Sequence, residues 1–590
     1  MKKTVSLKTS ASTFLKVLKY LKTYLPLFIF SLLFTLIVVV LTLYVPILVG
    51  QAIDLAAGKN AVDMVEIGKI LLTISLCVAF TAIFQWFINV INNRMVYGIV
   101  RNVRHEAFLR IQNMPVSYID SHQSGDIVNR IIADSDQFSD GLLMGFSQFF
   151  NGIMTIIGTI VFMFIINPPV TLIVVFITPL SLFVASFIAK RTFNLFKKQS
   201  EIRSAQTALI DEMIGDHKTV VAFNYEDRAQ ERFDNINADL EKTSLKAIFF
   251  SSLTNPSTRF VNSLVYAFVA FSGAMICASF GDEMLKVGML SSFLSYATQY
   301  TKPFNEISGV VTELQNALAS AGRVFDLIEA PIEEDNKIIN GDALDSSIEF
   351  CDISFAYTKE KPLIKNFSFK ANAGQHIAIV GPTGCGKTTL INLLMRFYDV
   401  DEGSIRMGGK DIRDMTRGEL RKKYGMVLQE TWLSEGTVSE NISYGNPDAT
   451  QEQIVAAAKA AHAHSFIKRL PDGYNTKIGE GGASLSQGQR QLLCIARIML
   501  CDPEILILDE ATSSIDTRTE IRIQKAFKTA MKGKTAFIVA HRLSTIKDSD
   551  VILVMKDGNI VEQGSHTELL AKKGFYNTLY NSQFPKIDVN

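Results

Sequence analysis

The sequence predicts a two-part fold: an α-helical transmembrane domain of six spans with long cytoplasmic extensions, followed by an α/β phosphate-loop domain. Three observations predict it. Long uncharged apolar stretches are confined to the first 301 residues. The string Gly381-Pro382-Thr383-Gly384-Cys385-Gly386-Lys387-Thr388 fills every fixed place of the pattern G-x-x-x-x-G-K-[ST]. After residue 336, short β-branched runs alternate with helical segments, the sign of a sheet with crossover helices.

At 590 residues the chain is too long for one core, and 48% hydrophobic residues with a mean hydropathy of +0.20 are high for a soluble enzyme. No charged residue occurs over 23–53, 70–93 or 141–189, and the last run is broken by Asn167-Pro168-Pro169 into two spans. The run 247–281 carries only Arg259, and the run 287–301 ends at Lys302. A helix needs roughly 20 apolar residues to cross about 30 Å of hydrocarbon, so these stretches give six spans.

Basic residues set the orientation. Lys2, Lys3, Lys8, Lys16, Lys19 and Lys22 precede the first span, Arg94, Arg101, Arg104 and Arg110 follow the second, and Lys190, Arg191, Lys197 and Lys198 follow the fourth. The positive-inside rule puts these flanks, and with them both termini, in the cytoplasm. The first apolar run is too long for a signal peptide and lacks a small-residue cleavage site, so it reads as a retained span of a multi-pass protein. A net charge of +1 points to no nucleic-acid partner. Six cysteines form no C-x-x-C pair and read as reduced, with Cys494 and Cys501 as core thiols.

The charged segments 96–140 and 190–246 are too long for turns and read as helices that carry the spans into the cytoplasm. Each has a small polar break, at 118–126 and 215–219, where a soluble domain could dock. An acidic, proline-marked linker at 330–336 separates a transmembrane domain, 1–335, from a nucleotide-binding domain, 336–590. In the latter, apolar runs at 347–355, 376–380, 505–508, 535–540 and 551–555 read as strands.

A phosphate loop needs glycines because side chains would block the backbone N–H groups that wrap phosphate. Lys387 reaches the outer phosphates, and Thr388 suits magnesium. Cys385 lies in the loop at a helix start, where a thiolate is favoured. About a hundred residues on, Leu485-Ser486-Gln487-Gly488-Gln489 precedes the apolar run ending in Asp509-Glu510. A Ser and a Gly opening a helix offer a hydroxyl, free N–H groups and a positive dipole end to an anion. His462 and His464 read as a solvated or packed helix rather than metal ligands.

With these motifs in these places, the chain resembles a half-transporter of the ATP-binding cassette (ABC) exporters over nearly its whole length. The resemblance implies that Tyr357 stacks on adenine and that Gly381 to Thr389 (Gly381, Pro382, Thr383, Gly384, Cys385, Gly386, Lys387, Thr388 and Thr389) hold the phosphates of ATP. Thr388, Gln429 and Asp509 would hold Mg2+, Glu510 would polarise the attacking water, and His541 would contact the outer phosphate. Ser486, Gly488 and Gln489 would complete the site of a second chain, so the resemblance implies an obligatory dimer, with Ser513-Ser514-Ile515-Asp516 at the same interface. The two polar breaks resemble coupling helices, and Gln429 and 476–482 resemble the segments facing them.

The likeness is particularly to bacterial multidrug exporters that pair two different half-transporters, which favours a paralogous partner; a homodimer is equally self-sufficient. The expected function is ATP-driven outward movement of hydrophobic or amphipathic small molecules across the cytoplasmic membrane by alternating access. Alternatives are a lipid flippase, a peptide exporter, or a non-pumping ATP-gated channel or regulatory subunit. Tyr266, Phe268, Phe271, Phe293, Tyr296 and Tyr300 offer aromatic walls for such cargo. Arg259 and the Lys302/Glu306 pair read as charges snorkelling near the cytoplasmic end of the spans.

Overall fold

The computed structural model describes residues 7–57, 63–177, 179–280, 286–333, 335, 345–358, 361–428, 431–479, 482, 485–509, 515–539 and 546–583. The chain divides into two compact units, Met1–Gln112 with Gln123–Ala330, and Asn113–His122 with Pro331–Asn590.

The first unit is helical. Helices Leu25–Ala57 and Met64–Gln112 have 33 and 49 residues. At 1.5 Å per residue the second is about 70 Å long, more than twice the thickness of the hydrocarbon. Among the described residues, Leu25–Ala56, Met64–Gln112 and Ser124–Ile166 are long and apolar enough to cross a membrane, and Arg259–Met275 is a shorter apolar helix.

The expected break at Asn167 is present for a local reason. Helix Phe150–Ile166 ends where Asn167 turns extended, with φ −156° and ψ 101°. The Asn167 side chain then accepts from Val170 N at 3.2 Å. Pro168 opens helix Pro168–Ile177, where a missing N–H leaves no bond unmade.

Packing in this unit relies on small and polar residues. A Cβ on Gly288 would fall 1.9 Å from the Gly50 carbonyl oxygen, so helix Val287–Ile328 crosses helix Leu25–Ala57 backbone to backbone. Asp54 accepts from Gly288 N at 2.7 Å, and Ser292 donates to the Pro46 carbonyl at 2.7 Å. Asn92, fully buried, accepts from Ser31 at 2.7 Å and donates to Ser147 at 3.2 Å. Further along the chain, the buried Asp134 carboxylate accepts two hydrogen bonds from the Arg323 guanidinium, one of them from Nε at 2.7 Å.

In the second unit the described strands are β1 (Ile348–Phe355), β2 (Ile364–Ala371), β3 (His376–Val380), β4 (Glu402–Met407), β5 (Lys410–Asp411), β6 (Tyr424–Val427), β7 (Gly436–Thr437), β8 (Lys477–Ile478), β9 (Ile505–Asp509), β10 (Thr535–Val539), β11 (Val551–Lys556) and β12 (Asn559–Gly564). One sheet is antiparallel, in the order β2-β1-β4-β5; the larger runs β12-β11-β3-β10-β9-β6, with only β12 antiparallel to its neighbour. Strands β9 and β10 are buried at every position, as parallel strands covered on both faces must be. Along β3, Ala378 and Val380 join one apolar core while Ile377 and Ile379 join another, so the sheet separates two cores.

Register decides where the functional ends fall. Val539 lies opposite both Ile379 and Asp509, and Val427 opposite Leu508. The carboxyl ends of β3, β10, β9 and β6 therefore line one edge, the place where open α/β sheets bind ligands.

Segment Asn113–His122 belongs to this second unit and carries the short helix Val116–Asp120. Glu333 N donates to the Asn113 carbonyl at 2.9 Å. The Glu333 carboxylate accepts from Arg421 at 3.3 Å, and Arg417 pairs with Asp335 at 3.2 Å and with Asp399 at 3.1 Å.

Candidate functional site

Strand β3 delivers the chain into the loop, and helix Lys387–Leu394 receives it. Gly384 and Gly386 have φ of +82° and +102°, backbone that side chains other than glycine rarely adopt. This conformation lets the loop close on itself. The Lys387 ammonium donates to the carbonyls of Gly381 at 2.9 Å and Pro382 at 3.0 Å, so the cation is held within the loop. Thr388 points to solvent and Thr389 is buried.

Cys385 corrects an expectation. Its thiol is 3% exposed, and burial pushes its pKa up against the opposing charge of Lys387, whose Nζ is 3.9 Å from Sγ. The helix start does not make it a thiolate, because desolvation disfavours the charged form more than the dipole and the ammonium favour it. Cys501 is likewise exposed rather than a core thiol, since it ends helix Gln487–Cys501 at the surface; Cys494 is buried. The five described cysteines are unpaired, and the Cys277 side chain lies outside the description. His464 Nδ1 is hydrogen-bonded to the Tyr474 hydroxyl at 2.8 Å.

Tyr357 stands beside the phosphate helix. Its hydroxyl donates to Thr389 Oγ1 at 3.4 Å and accepts from Asn392 Nδ2 at 3.2 Å. Phe355 and Tyr398 meet the ring at 83° and 88°, each with centroids 5.0 Å apart. With these neighbours fixing its orientation, the ring remains 48% exposed, enough for a flat base to stack. Asn392 and Tyr398 escaped the sequence reading because no spacing rule links them to Tyr357; only folding brings them together.

Ser486 opens helix Gln487–Cys501, accepting from Gln489 N at 3.3 Å while its own N–H donates to Gln489 Oε1 at 2.9 Å. This reciprocal cap satisfies two end donors and fixes the helix start. Gly488 is buried against helix Thr517–Met531, where a Cβ would come 2.4 Å from Thr519 Cγ2. Asp516 caps that second helix, and hydrogen bonds from Thr519 and then Arg518 hold its carboxyl below the usual range.

Asp509 ends β9 and is buried. Gln429, Glu510, Ser513, Ser514 and His541 lie outside the described residues, as do Glu480 and Gly481 of the 476–482 segment. The loop's positive-φ glycines, the buried lysine, the Thr388 hydroxyl and the Asp509 carboxylate are a donor set that fits a nucleotide phosphate with a hard divalent cation.

The membrane unit has cavities of its own. One of about 270 Å3 lies among helices Leu25–Ala57, Met64–Gln112, Phe150–Ile166 and Val287–Ile328. A second, of about 400 Å3, shares Thr42, Thr81 and Gln299 with it. No aromatic residue is among the described residues lining either. The six aromatics expected to form one wall are divided instead. Tyr266, Phe268 and Phe271 are exposed, whereas Phe293, Tyr296 and Tyr300 are packed in the core, with the Tyr296 hydroxyl donating to the Leu43 carbonyl. Lys302 lines the smaller cavity; the Glu306 side chain lies outside the description.

Comparison with known proteins settles the family. Residues 28–304 match the ABC transporter transmembrane region and residues 364–513 the ABC transporter domain. The chain belongs to the ABC transporter family. It is 39% identical over 528 residues to the "Fatty acid ABC transporter ATP-binding/permease protein" of Mycobacterium bovis, covering 89% of this chain and 83% of that one. The "ATP-dependent lipid A-core flippase" of Desulfotalea psychrophila is 37% identical over 522 residues, 87% of this chain and 90% of that one. A solved bacterial Atm1-family ABC exporter with ATP bound superposes with a TM-score of 0.78 at 27% identity, covering 96% of this chain and 99% of that chain. This ABC transporter is thus a membrane protein whose helical domain is fused to an ATP-binding domain, an ATPase coupled to transport.

Proposed function

We propose that this transporter exports hydrophobic or amphipathic small molecules across the cytoplasmic membrane by alternating access, as one half of a dimer. The observation that carries the reading is the presence, in one chain, of a formed phosphate loop, a capped signature helix and membrane helices that enclose cavities. Relatives named for a fatty acid and for lipid A-core favour lipid-like cargo over a broad multidrug range.

In this reading Tyr357 receives adenine on its exposed face. The loop from Gly381 to Thr389 and Lys387 bind the phosphates. Thr388, Gln429 and Asp509 hold Mg2+, which supplies charge neutralisation on the outer phosphates. Glu510 orients and deprotonates the attacking water, His541 contacts the outer phosphate, and Ser486, Gly488 and Gln489 serve the site of the opposite chain. Proton transfer by a positioned carboxylate contributes typically about 100- to 10,000-fold. Glu510→Gln should therefore keep ATP binding and nearly abolish turnover, and with it ATP-dependent uptake into inside-out vesicles. Steady hydrolysis by this variant would sink the assignment.

A further inference from the structure

Helix Val287–Ile328 ends just before the boundary between the compact units, which falls after Ala330, and strand β1 begins at Ile348. Nineteen residues, 329–347, therefore join helix and strand, and fully extended they would reach about 65 Å. A tether of that length would let the helix end and the nucleotide-binding fold move almost independently. The acidic stretch within it is tied down.

Glu333 and Asp335 enter a network of alternating charge. The Glu333 carboxylate accepts from both terminal nitrogens of Arg421 at 3.3 Å and lies 3.6 Å from the Arg417 guanidinium. Asp335 accepts twice from Arg417, from its backbone N at 3.1 Å and from Nη1 at 3.2 Å. Arg417 also pairs with Asp399 at 3.1 Å. Arg396 holds Asp399 at 2.8 Å and is itself anchored on the Ile412 and Met415 carbonyls. Isolated exposed ion pairs are worth little, but here the Arg396, Arg417 and Glu333 side chains are only 4%, 13% and 16% exposed and each shares its partners. The Glu333 amide adds a bond to the Asn113 carbonyl at 2.9 Å.

Fixing Glu333 leaves four residues, 329–332, between the helix end and the first held position, a reach of about 14 Å. One of them, Pro331, has a fixed φ. We propose that Glu333, Asp335 and their arginines form an electrostatic strap. It shortens the working tether between helix Val287–Ile328 and the nucleotide-binding fold from nineteen residues to four, and so sets how tightly ATP-driven motion is passed to that helix. The exporter reading supplies the motion; the strap stands without it.

The test inserts the same six Gly-Ser residues into the full chain on either side of the strap, between Ala330 and Pro331 or between Ile339 and Asn340. Transport per ATP is read in proteoliposomes with a dansyl-labelled fatty acid. Effective concentration falls roughly as the −3/2 power of tether length, so the upstream insertion should lower coupling about fourfold and the downstream one should leave it unchanged. Neutralising the strap with Glu333→Gln and Asp335→Asn together should lower coupling about tenfold by the same scaling, and in that background the two insertions should become equivalent. Amide hydrogen exchange over 331–335 should be about tenfold faster in the neutralised chain, and in the unaltered chain it should quicken several-fold between about 0.05 and about 1 M KCl. Equal loss from the two insertions in the unaltered chain, or unchanged exchange after neutralisation, overturns the strap. Faster exchange after neutralisation with no ATP-driven uptake, even by the unaltered chain, keeps the strap and removes the exporter reading.

Discussion

At Cys385 burial outweighs both the helix start and Lys387, and this fixes how the thiol reacts. The thiolate is the nucleophile, and an ordinary thiol titrates at about 8.5. Because the Cys385 pKa is raised, its thiolate fraction stays low at neutral pH and keeps growing above that value. Maleimide inactivation that ATP protects against should therefore climb through pH ~9 without levelling and vanish in Cys385→Ser; a plateau below pH ~8 contradicts the burial argument. Gly488 makes a second residue-scale case. Gly488→Ala drives a Cβ into Thr519 Cγ2, a branched stub that cannot swing away, and overpacking of this kind costs about 1–3 kcal/mol. Its melting temperature should fall, and Thr519→Ser, which removes that methyl, should restore most of the loss. In sequence Gly488 is legible as a phosphate-facing signature residue; that it also admits a neighbouring helix is not, because the partner is 31 positions away.

Among elements, the short helix Val116–Asp120 is held within the second unit by a side chain distant in sequence. Tyr398 donates to Asp120 Oδ2 at 2.6 Å, and the same Tyr398 ring abuts Tyr357. Burial, with the Asp120 acceptor, holds the Tyr398 phenol well above its usual range, so it stays a donor at all working pH values. Tyr398→Phe should speed hydrogen exchange over residues 113–122 by the loss of roughly 1 kcal/mol. Asp120→Ala should do the same, and the double variant should add little to either. Independent, additive effects would mean the two groups do not act as a pair. The polar break itself was visible in the sequence, as was its likeness to a coupling helix. Its acceptance by Tyr398 was not, since 278 residues separate the partners.

For the molecule as a whole, an exposed apolar tip supports a two-chain assembly. Helix His217–Ala222 has no buried residue, and Ile214 and Phe223 beside it are 71% and 79% exposed. Solvated apolar groups gathered at one helix turn are a surface awaiting cover. We propose that a nucleotide-binding domain covers it in the dimer, as the likeness of this break to a coupling helix implies. Phe223→Asp should then lower substrate-stimulated ATPase several-fold with little change in the KM for ATP, and undiminished stimulation would remove this tip from the coupling path. Purified from its native membrane, the transporter should also bring a second half-transporter with it, a paralogous chain in the favoured reading.

Sequence alone determined the division into an apolar helical half and a phosphate-loop half, and the motifs of the ATP site, because uncharged run length and fixed glycine spacing are properties of neighbours in the chain. It also placed the break at Asn167, which is made by the adjacent prolines and the asparagine's own side chain. Only the tertiary structure decided that Cys385 is desolvated, that the span aromatics divide between core and surface, that Tyr357 is steadied by Tyr398 and Asn392, and that Gln299 and Lys302 share a cavity. Burial and orphaned polar atoms depend on which distant helices and strands close around a residue, and no local pattern encodes that.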